Sequence, residues 1–170
     1  MNNERRIAVD LRVLIESTLH LSWKEQRTHG RFVTRYGPNV PPVMANESRL
    51  AEMFRSVIGT AAHAVDNGVA SGEVYVTTCV DYSGNAVVEI CDTGIGISVD
   101  TLDRMFTPLF TTKVTRLELS TCRRIVAELG GELAVECVVG KGTTVTITLP
   151  KAVSAVRERV ARTTTDLPHE

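Results

Sequence analysis

Residues 86–97 constrain the fold more than any other stretch. Ala86-Val87-Val88-Glu89-Ile90 is apolar and β-branched, and it closes on Cys91-Asp92-Thr93-Gly94-Ile95-Gly96-Ile97, an acid followed by two spaced glycines. A run that ends this way hands a strand over to a ligand-binding loop. A carboxylate at a strand end can accept a hydrogen bond from an exocyclic amine, and glycines let backbone approach a flat ligand without Cβ clashes. In outline this is a pocket for a nucleotide base. Taken alone, the same residues also describe ordinary turn chemistry, so the neighbouring stretches have to decide.

Glu73 to Val80 is a second β-type run, and the short turn Asp81-Tyr82-Ser83-Gly84-Asn85 makes the two an antiparallel hairpin that delivers Asp92 to one end of a sheet. Upstream, Leu11, Leu14, Ile15, Leu19 and Trp23 recur at helical spacing behind Asp10, which is placed to cap. Arg31 to Tyr36 alternates like a strand, and Pro38, Pro41 and Pro42 mark an irregular or edge connection. Asn46 is placed to cap a second helix running to about Val65, with Leu50, Met53, Phe54, Val57, Ile58 and Ala61 as its core face. Glu52, Ser56, Thr60 and His63 form a second stripe roughly 110° around that helix. Such a stripe is ordinarily a solvated shoulder. Asp66-Asn67-Gly68 then ends the helix.

Beyond the glycines, Ser98 can cap a short helical segment that leads into Met105-Phe106-Thr107-Pro108-Leu109-Phe110-Thr111-Thr112-Lys113, which reads as a loop anchored in apolar surface and presenting a cation. Leu119, Cys122, Ile125, Val126 and Leu129 predict another helix, stopped by Gly130-Gly131. A last strand pair, Leu133 to Val139 and Thr144 to Leu149, surrounds Gly140-Lys141-Gly142-Thr143, with Val145, Ile147 and Leu149 inward. From Lys151 onward only Val153, Val156 and Val160 make a thin stripe. The expected organisation is therefore a domain over residues 1–150 and a partly helical or disordered tail over 151–170.

The 170 residues, 43% of them apolar, suit one domain rather than two cores. With 19 Lys and Arg against 20 Asp and Glu, no global field favours nucleic acid or an anionic membrane. No window approaches the roughly 18 consecutive apolar residues of a membrane span, and Met1 to Arg6 lacks a signal-peptide core, so a cytoplasmic location is expected. Cys79, Cys91, Cys122 and Cys137 contain no Cys-x-x-Cys pair and read as small buried hydrophobes rather than metal or redox groups.

In this order and at these separations, the Asp92 to Ile97 glycine box, the Met105 to Lys113 phenylalanine box and the Gly140 to Thr143 hairpin resemble the catalytic ATP-binding domain of sensor histidine kinases, in the GHKL ATPase superfamily. The resemblance covers residues about 8 to 150. It implies an α/β two-layer sandwich (the GHKL or Bergerat fold), a mixed and mostly antiparallel sheet with three main helices on one face. By the same resemblance Asp92 would accept from the adenine N6 amine. Gly94 and Gly96 would permit close passage of the loop, with Ile97 and Thr112 among the nucleotide contacts. Lys113 would stand near the terminal phosphates, and Gly142 and Thr143 would shape the final turn and the adenine floor. The implied reaction is phosphoryl transfer from ATP, leaving ADP, with Mg²⁺ neutralising the phosphates. The implied partners are a dimerisation domain carrying the acceptor histidine and a response regulator. His20 and His29 lie outside any His-Glu context followed by proline, so the acceptor is expected on another domain and this chain to be a catalytic domain that needs it.

Two departures from the family pattern stand out. The family's second helix carries an asparagine pair, the later one ligating Mg²⁺; here the positions are Ser56 and Thr60, a hydroxyl that magnesium can still use. His63, on the same stripe, could contact phosphate. The family's glycine-rich lid is replaced by Val114-Thr115-Arg116-Leu117-Glu118-Leu119-Ser120, in which Arg116 offers a guanidinium for phosphate. These departures leave two expectations: an atypical but active histidine-kinase domain, or a non-catalytic docking or phosphotransfer module built on the same fold. A topoisomerase- or chaperone-type ATPase would want a glutamate at Ser56 to activate water, and ranks below both.

Overall fold

The computed structural model describes residues 5–25, 30–66, 72–94, 119–138 and 141–152, with the backbone alone for 22–25 and 66. Within these residues the chain runs β1 (Ile7–Val9), α1 (Leu11–Glu25), β2 (Arg31–Tyr36), β3 (Val43–Ala45), α2 (Glu47–Asp66), β4 (Glu73–Val80), β5 (Ala86–Asp92), α3 (Leu119–Glu128), β6 (Glu132–Val138) and β7 (Gly142–Leu149). The main sheet has five strands in the order β2-β4-β5-β7-β6. Every neighbouring pair is antiparallel except β2 and β4, which run parallel. This is the expected two-layer sandwich, a mixed and mostly antiparallel sheet with its helices on one face.

Alternation decides which face they cover. Val74 and Val76 on β4, Ala86, Val88 and Ile90 on β5, and Val145, Ile147 and Leu149 on β7 are all buried. They share a core with Leu50, Met53, Phe54, Val57, Ile58 and Ala61 of α2 and with Leu119, Cys122, Ile125 and Val126 of α3. α2 lies along β4, β5 and β7, α1 packs on α2, and α3 packs on β6 and β7. Phe54 is fully buried at the centre of this layer. At the edge, the Arg12 guanidinium of α1 sits 5.1 Å from the centroid of the Tyr36 ring on β2, within cation–π range.

The caps follow the sequence. Asp10 Oδ1 accepts from the amides of Arg12 and Val13 at 3.0 and 3.3 Å, and Asn46 Oδ1 accepts from Arg49 N at 3.0 Å. At the end of α3 the amides of Gly130 and Gly131 close back on the carbonyls of Ala127 and Val126, with Gly130 at φ 77°. In the hairpin turn the Asp81 carboxylate accepts from the amides of Ser83 and Asn85. These bonds, that from Asn85 first, hold its pKa below the ordinary carboxylate range.

Two features went unannounced in the sequence and one differs from its reading. β1 and β3 form a separate two-stranded antiparallel ribbon, Ile7 opposite Ala45 and Val9 opposite Val43; three-residue strands are too short for alternation to announce. Thr18 is buried in α1, its hydroxyl donating to the Leu14 carbonyl at 2.8 Å. Only Cys122 is a buried cysteine: Cys79 is exposed, and Cys91 and Cys137 are intermediate. Cys79 and Cys91 alternate with the inward residues of β4 and β5 and so fall on the sheet face that no described helix covers. Residues 153–170, expected as a tail, lie outside the described residues, as does Trp23's side chain.

Candidate functional site

Asp92 is the last residue of β5, paired with Val74 on one side and Thr143 on the other. The alternation that buries Val88 and Ile90 also turns Asp92 to the helical face, where it is 5% exposed. Its Oδ1 accepts from the amide of Gly94 at 3.0 Å and from the amide of Thr143 at 3.4 Å. Oδ2 has no hydrogen-bond partner among the described residues, so it retains its accepting capacity for a donor from outside. Burial raises the pKa of Asp92, and the Gly94 and Thr143 amides partly offset that rise.

The two flanking glycines have steric reasons. A Cβ at Gly94 would meet the carbonyl oxygen of Ala64, in the last turns of α2, at 2.7 Å. Gly142 has φ +122°, and a Cβ there would stand 1.9 Å from the Asp92 carbonyl oxygen. The loop's exit is fixed by Thr93, whose amide donates to the Glu73 carbonyl at 3.1 Å and whose Oγ1 accepts from Glu73 N at 2.9 Å. Sequence reasoning missed Ala64 and Thr93; an alanine on a helix and a threonine in a turn carry no signal of such contacts.

From Ala64 the α2 stripe leads away toward the helix N-terminus. Thr60 is intermediate in burial and its hydroxyl donates to the Ser56 carbonyl at 3.0 Å, leaving the oxygen lone pairs to accept. His63 is exposed. Ser56, with Arg49, Glu52 and Met53, forms one wall of a groove of about 370 Å³, whose other wall is Thr121, Cys122, Arg124 and Ile125 of α3. Thus the structure brings Asp92, Gly94, Gly142 and Thr143 together at one end of α2, and sets Thr60 and then Ser56 successively further along it. Gly96, Ile97, Thr112, Lys113 and Arg116 lie outside the described residues, as do residues 114–118 of the expected lid, whereas Leu119 and Ser120 already belong to α3.

The oxygen donors fit magnesium. The ion accepts neutral oxygens and keeps several waters, and one or two protein oxygens beside phosphate oxygens suffice. Among the described residues there is no cluster of three or more His, Cys, Asp or Glu that would hold a metal by itself.

The profile of the family described as histidine kinase-, DNA gyrase B- and HSP90-like ATPases matches residues 45–153. The sensor histidine kinase ZraS of Escherichia coli (strain K12) is 33% identical over 148 residues, which are 84% of this chain and 30% of that protein. The chain therefore spans about a third of that relative's length. Among solved structures, the nucleotide-free catalytic domain of the histidine kinase ThkA superposes with a TM-score of 0.75 at 25% identity, covering 86% of this chain and 98% of that one. The same kinase in complex with the response regulator protein TrrA gives 0.68 at 24% identity, covering 86% and 42%.

Proposed function

Since the chain belongs to the family of histidine kinase-, DNA gyrase B- and HSP90-like ATPases, we propose that it is the ATP-binding catalytic domain of a two-component sensor histidine kinase, giving the γ-phosphoryl group to a histidine on a separate dimerisation domain. A response regulator is the onward partner, and the fold is that of the ThkA chain seen with TrrA. The observation that carries the reading is the Asp92 carboxylate: nearly buried, one oxygen held by two backbone amides, the other without a partner among the described residues.

In this reading Asp92 Oδ2 accepts from the adenine N6 amine, and Gly94, Gly96 and Ile97 let the loop lie against the base. Gly142 and Thr143 form the floor. The phosphates run along α2 from the Ala64 end toward Thr60 and Ser56, with Lys113 and Arg116 as cationic contacts, Thr112 as a hydroxyl contact and His63 as a further hydrogen-bonding contact. Thr60, with Ser56 behind it, would hold Mg²⁺, which when bound neutralises phosphate charge. The chain's own work is binding and alignment, which dominate phosphoryl transfer.

Thr60 also supports the second reading, a docking or phosphotransfer module that has lost turnover. Its hydroxyl already donates within the helix, and it is shorter than an asparagine amide. Thermal unfolding with ATP or ADP, each with Mg²⁺ and with EDTA, separates the two. Ligand at ~100 times its dissociation constant adds roughly 2.7 kcal/mol, an upward shift of about 5 to 10 °C at this size. A magnesium-dependent shift supports the kinase domain; no shift at millimolar nucleotide supports the module.

A further inference from the structure

The groove between α2 and α3, with Ser56 and Thr121 among its lining residues, is tied at the end where α2 begins and α3 ends. There Arg49 Nη1 of α2 meets Glu128 Oε2 of α3 at 2.9 Å, and Arg124 Nε stands 4.0 Å from Glu128 Oε1. A third arginine joins from the beginning of the chain: Arg6 Nη2 donates to the Glu128 carbonyl at 3.2 Å, across 122 residues of sequence. Arg6 immediately precedes β1, β1 pairs with β3, and β3 runs into Asn46, the cap of α2. Glu128 is thus a knot on which the incoming chain and both groove helices converge.

We propose that Arg6, Arg49 and Glu128 are positioning residues that set the spacing of α2 and α3, and through it the grip of the proposed nucleotide cleft; the inference rests on that functional reading. The lever arms are long. From Arg49 to Thr60 is roughly 16 Å along the helix, and α3 is roughly 15 Å long, at about 1.5 Å per residue, so a small change of angle at the knot becomes a displacement at the metal and phosphate end. The Arg49 and Glu128 side chains are 29% and 43% exposed, and ion pairs this open contribute little to stability. A tie with little stabilising value that joins three separate segments is better explained by geometry than by folding energy. Displacement of Arg6 and the adjoining β1 would then alter nucleotide affinity without contact with the nucleotide.

The test uses the whole chain and the variants Arg6→Ala and Glu128→Gln, with Glu89→Gln, on the sheet face that no described helix covers, as control. Two readouts are needed: ATP affinity by calorimetry, and native-state hydrogen exchange of the α3 amides, which requires no nucleotide. The expected result is a three- to tenfold weaker ATP affinity and at least fivefold faster exchange in α3 relative to β4 and β5. The melting temperature should stay within about 3 °C of the parent and the control unchanged. Affinity within twofold and unchanged exchange would overturn the proposal. So would a fall in melting temperature with exchange accelerated uniformly in every element, which is the signature of a purely structural tie. If the parent binds no ATP, the functional reading fails, and selective exchange in α3 alone decides whether the knot sets helix spacing.

Discussion

The amide of Thr143, near the start of the last strand, donates to the carboxylate of Asp92 at the end of β5, across 51 residues of sequence. This bond and the one from Gly94 hold a single oxygen of a nearly buried acid, and they tie its chemistry to the closure of the sheet.

Burial raises the Asp92 pKa, which fixes opposite signs for folding and for binding. The folded state holds this proton more tightly than the unfolded state. The group's contribution to stability is therefore fully present below the unfolded pKa and lost as pH rises through the raised folded value. Binding of an N6 amine prefers the carboxylate, so nucleotide affinity should increase over that same window, with proton release on binding. Calorimetry in buffers of different ionisation enthalpy checks the release.

Asp92→Asn keeps an acceptor for the Gly94 and Thr143 amides but removes the buried charge. Its melting temperature at neutral pH should be no lower than that of the parent. Nucleotide affinity should fall ten- to a hundredfold, the loss expected for a hydrogen bond to a charged group of about 1.5 to 3 kcal/mol. Unaltered ATP binding would remove Asp92 from the pocket.

Thr60→Val deletes the hydroxyl at nearly constant volume. Affinity in EDTA should stay within about twofold while the gain from Mg²⁺ falls about tenfold, roughly 1.4 kcal/mol; Thr60→Asn should enlarge that gain. Titrations of ATP with and without magnesium measure both.

Gly142→Ala is expected to cost at least ~2 kcal/mol from backbone strain and displacement of β5, lowering the melting temperature by about 5 °C or more. The motive is the 1.9 Å separation between the added Cβ and the Asp92 carbonyl oxygen. A melting curve equal to the parent's would show that the turn relaxes.

Thiol labelling of the native chain should modify Cys79 first and leave Cys122 protected until unfolding, because Cys79 is exposed and Cys122 is 3% exposed. Peptide mapping after a timed alkylation reads this order.

Much of the fold was legible because two periods in the sequence are clean. The inward positions of β5 and β7 and the apolar face of α2 appear where alternation and helical spacing put them. Strand register brings together Asp92, Gly94, Gly142 and Thr143, residues that motif reading had only named in sequence. What escaped depends on contacts without local pattern. β1 and β3 are too short to alternate, and the parallel pairing of β2 with β4 needs α2 as a crossover. The Arg6 to Glu128 bond joins residues that on their own look like surface charge. Cys79, Cys91 and Cys137 were misread, unlike the buried Cys122, because small apolar residues in β-type runs say nothing of which sheet face is covered.

The parallel pairing of β2 with β4 has a kinetic consequence. The β4–β5 hairpin needs only a short turn and can form early, whereas β2 must find β4 across the whole of α2, and β7 must find β5 across the segment containing α3. Loop closure of that length makes these the late steps. Asp92 receives the Thr143 amide only when the second of them is complete. Partly folded chains would then hold the hairpin but no receptor for a base, so nucleotide should leave the refolding rate nearly unchanged and show its effect as slower unfolding.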